Sequence, residues 1–138
     1  MAKKIAHVAV AVQNLDRACD FYRDVMGARI EGRRIMPDQK VELAFAVFDA
    51  GTKLELLMPT QEDSPLGKFL RKHGPGLHHV SITVEGIERQ LEFLADHGVK
   101  IIDAQPRRGA ENDRIAFLHP SSTLGVLMEL SEPATDAH

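Results

Sequence analysis

The sequence predicts an α+β fold of two tandem βαβββ modules, whose strands form one curved mixed sheet with the helices on the outside. Three observations predict it. Residues 5–59 and 77–132 show the same order of strand-like and helix-like patterns. A segment with its own short helix pattern, 60–76, links them. Each module is too short to bury a sufficient core alone, so the 138 residues are expected to form one domain with a cup-shaped sheet.

The first module begins with a run rich in β-branched residues, which is typical of a buried strand. Asn14 is a suitable N-cap for the helix that follows, and Gly27 is a suitable residue to end it. Turn residues around Pro37 and Gly51 separate the remaining strands. The predicted elements are a strand at 5–12, a helix at 15–25, and strands at 28–35, 41–48 and 52–58.

The linker and the second module carry equally clear signals. Ser64 followed by Pro65 predicts a helix start, because serine caps helices and proline is tolerated at the first helical position. Gly74 ends that helix, and Gly98 ends the next one. The second module is predicted to hold a strand at 78–84, a helix at 87–97, a strand at 99–104, a polar loop at 106–113, and strands at 114–118 and 125–130.

Composition excludes several classes of function. The formal net charge is -3, and aromatic residues make up 5% with no Trp, which disfavours nucleic acid as a partner. No apolar run approaches the ~20 residues of a membrane span, and no signal peptide is visible. We therefore expect a cytoplasmic protein that does not bind membranes. A homodimer is the default expectation for a small enzyme of this kind.

The two modules place the same metal-ligating residues at the same points. His7 and His79 open equivalent strands, and Glu55 and Glu129 lie in the middle of equivalent later strands. A carboxylate in an apolar strand is costly to bury unless it is paired or binds a metal. We therefore predict a metal bound by His7, Glu55, His79 and Glu129. Two imidazoles and two carboxylates suit zinc or another divalent first-row metal, and cobalt, manganese, nickel and zinc all remain open.

Two further residues are candidates for roles near this site. Glu42 lies in the apolar strand before Glu55, where it is either a solvated strand residue or a general base near the metal. His78 precedes His79 and should face the opposite side of its strand, so His79 is the predicted ligand.

Paired βαβββ modules with this ligand set resemble the vicinal oxygen chelate superfamily, and specifically the methylmalonyl-CoA epimerase family. The resemblance covers nearly the whole chain. Its segments are Gly51–Leu57, Asp63–Pro65 running into Lys68–Leu70, Gly76–Val80, Ala116–Pro120 and Gly125–Leu130. Within them, His78-His79 and Phe117-Leu118-His119-Pro120 are the distinctive parts.

The resemblance implies a divalent metal on the four ligands and an acyl-CoA substrate, the thioester of methylmalonate. It also implies proton abstraction at C2 through an enolate that the metal stabilises as a Lewis acid. Inversion then needs one acid/base on each side of C2, and Glu129 and Glu42 are the candidates. If the alignment of this strand with the family pattern were shifted by one residue, the Glu42 side chain would lie on the other face of its strand.

Some positions depart from the family pattern, and other functions compete. Ser121 stands where the family commonly has lysine, and Leu124-Gly125 replaces paired glycines. The loop 109–112 is less glycine-rich than usual, so the exact acyl group stays open. The alternatives are a glyoxalase I-type lactoylglutathione lyase, then a ring-cleaving dioxygenase, and a non-catalytic binding member of the same superfamily.

Overall fold

The computed structural model describes residues 1–134, and within them the predicted α+β fold is confirmed. Eight strands form a mixed sheet, accompanied by three α-helices in βαβββ order. The elements are β1 Ala2–Ala11, α1 Leu15–Asp20, β2 Arg29–Met36, β3 Val41–Val47, β4 Lys53–Pro59, α2 Pro65–His73, β5 Gly76–Val84, α3 Ile87–Asp96, β6 Arg107–Arg108, β7 Arg114–Leu118 and β8 Met128–Glu132. No helix in this described part is long and apolar enough to span a membrane.

The chain divides into two compact units, and β1 contributes to both. One unit is His7–His78, and the other is Met1–Ala6 with the chain from His79 onward. The first unit has the strand order β2-β3-β4-β1, and the second has the order β1-β5-β8-β7-β6. The parallel pairs are β1 with β4 and β5 with β8, which are the strands that carry the predicted ligands.

The first unit packs α1 on one face of its strands. Asn14 Oδ1 accepts the backbone N–H of Arg17 at 3.0 Å, which confirms the predicted N-cap. A π-helical segment, Phe21–Val25, continues α1. The core on this face consists of Leu15, Cys19, Ala28, Ala44, Ala46 and Leu56. Because side chains alternate along a strand, the residues between these core positions on β3 and β4 point to the opposite face.

The second unit repeats this arrangement with α3. Its core on the helix-bearing face consists of Val84, Ile87, Leu91, Ala116, Leu118 and Leu130. In the linker, Ser64 Oγ accepts the backbone N–H of Gly67 at 3.0 Å, which confirms the predicted start of α2. The opposite face of β5, β7 and β8 carries mainly polar and aromatic side chains, together with the buried Ile115.

The prediction of a strand at 99–104 was wrong. Only an isolated bridge joins Ile101 to Leu118, and the short strand β6 lies instead at Arg107–Arg108, within the predicted loop. Asp103 provides the physical reason. Its Oδ2 accepts the backbone N–H of Phe117 at 2.8 Å, so a side chain takes the place of a ladder hydrogen bond.

Candidate metal centre

The first unit holds a buried histidine–glutamate pair. Ala9 of β1 lies opposite Glu55 of β4 in the parallel register, so His7, two residues earlier, shares the face of Glu55. Both side chains are almost completely buried, with 7% exposed in each case. His7 Nε2 lies 3.5 Å from Glu55 Oε1. The predicted His7 and Glu55 are thus brought together.

The second unit holds the equivalent pair. Ser81 of β5 lies opposite Glu129 of β8, which puts His79 on the face of Glu129. His79 Nε2 lies 3.9 Å from Glu129 Oε2, and 4% and 7% of these side chains are exposed. The duplication predicted from sequence therefore produces a His–Glu pair of the same kind in each unit.

A phenylalanine beside each pair was missed by the sequence analysis. Phe45 lies opposite Glu55 on the neighbouring strand and meets the His7 ring edge-on, with ring centres 6.0 Å apart. Phe117 lies opposite Glu129, and its ring centre is 5.2 Å from that of His79, again edge-on. Each ring packs edge-on against its histidine and gives the pair an apolar neighbour on that side. The sequence could have indicated both phenylalanines, because each lies in the strand that pairs with the strand carrying the glutamate of the same unit.

Each phenylalanine also carries a cation above its ring. Lys53 Nζ lies 4.9 Å from the centre of the Phe45 ring. The guanidinium carbon of Arg107 lies 5.9 Å from the centre of the Phe117 ring. Both distances fall in the range of cation–π attraction.

The chemistry of the donors fits a divalent metal. Each unit offers one imidazole nitrogen and one carboxylate oxygen, which are ligand types of zinc and the first-row divalent ions. His7, His79 and Glu129 are all buried and are candidate metal ligands. Burying ligand-type groups in this way is expensive unless their charge and hydrogen-bonding capacity are used.

The two units differ in the polarity around their pairs. In the second unit Ser81 Oγ donates to Ser131 Oγ at 3.1 Å, and both serines are buried on the face of Glu129. The equivalent positions in the first unit are Ala9 and Leu57. The surroundings of Glu129 are therefore more polar than those of Glu55.

Glu42 lies on the opposite face of the sheet from the candidate ligand Glu55. Its partner in the β3–β4 register is Met58, which packs with the helix-side core, so Glu42 points away from the face of Glu55. Its Oε2 accepts a hydrogen bond from Arg33 Nε at 3.0 Å. Arg33 also donates to Asp16 of α1 at 2.6 Å. The expectation that Glu42 is an acid/base near the metal therefore conflicts with this register, because a shift of one residue reverses the face.

His78 lies on the other side of its strand from His79, as alternation requires. Burial lowers the pKa of His78, and the nearby Glu55 carboxylate acts in the opposite direction. Its ring meets that of Phe69 in α2 edge-on, with centres 4.8 Å apart. His78 thus links the linker helix to β5 and is a neutral packing residue near neutral pH.

The fold and the duplicated His–Glu pairs define a class of protein. Residues 6–117 match the family described as the glyoxalase/bleomycin resistance protein/dioxygenase superfamily, and the chain belongs to it. Within that superfamily it resembles methylmalonyl-CoA epimerases. It is 38% identical to the mitochondrial methylmalonyl-CoA epimerase of Dictyostelium discoideum, over 94% of this chain and 78% of that protein.

Solved structures agree with this similarity. A methylmalonyl-CoA epimerase in complex with methylmalonyl-CoA and ammonium has a TM-score of 0.92 and is 35% identical, covering 98% of this chain and 97% of that chain. A more distant relative is the lactoylglutathione lyase of Haemophilus influenzae, 29% identical over 83% of each protein.

Proposed function

We propose that this protein is a methylmalonyl-CoA epimerase that interconverts the 2R and 2S forms of the thioester. The observation that carries the proposal is the buried His–Glu pair in each unit, found in a chain similar to epimerases over nearly its whole length. Similarity to an enzyme with methylmalonyl-CoA bound supports an acyl-CoA as the substrate.

We propose His7, Glu55, His79 and Glu129 as the ligands of one divalent metal ion. When bound, the metal would act as a Lewis acid on the carbonyl oxygens of the substrate. The described residues contribute two neutral nitrogen donors and two anionic oxygen donors, so the ligand set would offset the charge of the ion. The identity of the metal depends on geometry and availability rather than on this donor set.

Glu129 is the residue we propose as one acid/base. The C2 proton of methylmalonyl-CoA is acidified by the adjacent thioester carbonyl, and a carboxylate at hydrogen-bond distance can remove it. Glu129 has both requirements for such a role in its own unit: it is buried, and Phe117 on the neighbouring strand keeps its surroundings partly apolar. Excluding water strengthens its interaction with a developing charge.

Inversion requires a second acid/base that returns the proton to the other side of C2. We propose Glu55 in place of Glu42, because Glu55 is the duplicate of Glu129, with its own histidine and phenylalanine. A carboxylate in each half supplies one group for removing the proton and one for returning it.

The test follows deuterium uptake at C2 of methylmalonyl-CoA by NMR in D₂O, with protein that is metal-loaded or chelator-treated. We expect rapid exchange only in the metal-loaded sample. Glu129→Gln should slow exchange by at least 100-fold, about the usual contribution of a positioned acid/base. Glu85→Gln is the matched control, because its exposed carboxylate pairs only loosely with Lys3, at 3.5 Å. Exchange no faster than the uncatalysed rate with metal bound would overturn the proposal.

A glyoxalase I-type lyase is the second candidate, and the similarity to a lactoylglutathione lyase supports it. That reaction also moves a proton next to a carbonyl group. Adding the hemithioacetal of glutathione and methylglyoxal to the same preparations distinguishes the two, because only a lyase forms the lactoyl thioester. A protein that binds metal but turns over neither substrate would be a binding member of the superfamily.

A further inference from the structure

Arg107 lies on the same face of the second unit as Glu129. Arg107 of β6 pairs with Ile115 of β7, and Ile115 pairs with Ser131 of β8. Directly paired residues share a face, so Arg107, Ser131 and Glu129 all point to the side opposite the α3 core. Arg108, the residue after Arg107, pairs with Arg114 and therefore points to the α3 side of the sheet.

The guanidinium of Arg107 is held in a defined position. Phe117 lies beneath it, with 5.9 Å from the guanidinium carbon to the ring centre. Arg107 Nε lies 3.5 Å from Asp103 Oδ1. Asp103 is itself fixed, because its second oxygen accepts the Phe117 N–H. A long side chain that is anchored in this way loses less conformational entropy when it binds a ligand.

The position is also open to a ligand. The Arg107 side chain is 41% exposed, whereas the Glu129 side chain is 7% exposed. The Phe117 ring contacts the His79 ring as well as carrying Arg107, so a single phenyl ring separates the cation from the buried His–Glu pair. The guanidinium of arginine is planar and has five N–H donors, which suits it to bind a carboxylate or a phosphate. In Arg107, Asp103 lies beside Nε only, so the other donors face away from it.

We infer that Arg107 binds an anionic group of the acyl-CoA substrate. The inference rests on the proposed function, which supplies a substrate with a free carboxylate on the acyl group and phosphates on the CoA. The chain has a net charge of -3, so a polyanionic substrate needs local cations at the site. In the first unit Lys53 likewise lies above Phe45, although it comes from β4 and not from a strand equivalent to β6.

Calorimetric titration with three ligands tests the inference, using wild-type protein, Arg107→Gln and the matched control Arg108→Gln. We expect Arg107→Gln to weaken methylmalonyl-CoA binding by about 10- to 100-fold, the usual loss when a charged group loses its hydrogen-bond partner. Arg108→Gln should leave it within about twofold. Arg107→Lys keeps the charge without the fork and should restore part of the affinity.

The three ligands identify which anion is bound. If Arg107 binds the acyl carboxylate, propionyl-CoA and free CoA will bind the wild type and Arg107→Gln equally. If it binds a phosphate, all three ligands will weaken alike. Equal affinities of Arg107→Gln and Arg108→Gln for methylmalonyl-CoA would overturn the inference, provided that thermal unfolding shows both variants folded. A wild type that binds acyl-CoA without C2 exchange would refute the epimerase but not the role of Arg107.

Discussion

Glu132 is predicted to be the residue that stabilises the N-terminus of α3. The N-cap position of α3 is Gly86, which has no side chain to satisfy the first backbone N–H groups. Glu132, at the end of β8, supplies both carboxylate oxygens instead: it accepts the N–H of Gly86 and, at 3.4 Å, that of Ile87. Its Oε1 also lies 3.8 Å from Arg114 Nη1. The contact therefore fastens α3 to the strand that carries Glu129.

The size of the effect follows from these contacts. Losing an N-terminal capping partner costs about 0.5–2 kcal/mol, and a carboxylate beside a helix N-terminus contributes ~0.3–1 kcal/mol. The Glu132 side chain is only 22% exposed, so water replaces it poorly, while the longer contact to Ile87 adds little. We expect Glu132→Ala to lower the free energy of unfolding by about 2 kcal/mol. For a chain of this length, that corresponds to roughly 8 °C in Tm.

Urea unfolding at neutral pH, followed by circular dichroism at 222 nm, measures this change. Glu132→Gln keeps one acceptor oxygen and should lose less than Glu132→Ala. Arg114→Gln is the control, because it removes the ion pair with Glu132 and leaves the contacts of Glu132 with the Gly86 and Ile87 N–H groups in place. Equal losses for Glu132→Ala and Arg114→Gln would refute the reasoning, since the effect would then come from the ion pair with Arg114.

Three further predictions test other parts of the fold. Gly67→Ala should destabilise the protein by about 1–3 kcal/mol, because its Cβ would lie 2.2 Å from the Glu62 carbonyl oxygen, and equal urea midpoints would contradict this. Leu56→Ala should cost about 2–5 kcal/mol by the same assay, since Leu56 is fully buried in the first core; a loss under 1 kcal/mol would mean that the cavity collapses. Two hydrogen bonds from Arg114 lower the pKa of the Glu88 carboxyl, so the stability they add is present at neutral pH and is lost as the pH falls through that pKa. Arg114→Gln should raise the pKa of Glu88 in an NMR titration, and an unchanged value would contradict the pairing.

The sequence was sufficient for the fold class and for naming candidate ligands, because both depend on local and repeated signals. Helix starts at Asn14 and Ser64 follow from a side-chain oxygen placed next to the first helical turn, and each cap is present. The repeat of histidine and glutamate is a pattern along the chain that needs no knowledge of register. His7 with Glu55 is accordingly found as a buried pair.

Tertiary structure decided what depends on strand register and on contacts across strands. Glu42 faces the helix side because Met58 is its partner, and residue type alone does not reveal a pairing that one residue of slip reverses. The strand predicted at 99–104 does not form, because the Phe117 N–H donates to the Asp103 side chain instead of to a backbone carbonyl of that segment. The strand that pairs with β7 is β6, at Arg107–Arg108. The position of Arg107 above Phe117 became visible only in the tertiary structure, since a cation and a ring 10 positions apart carry no local signal of contact.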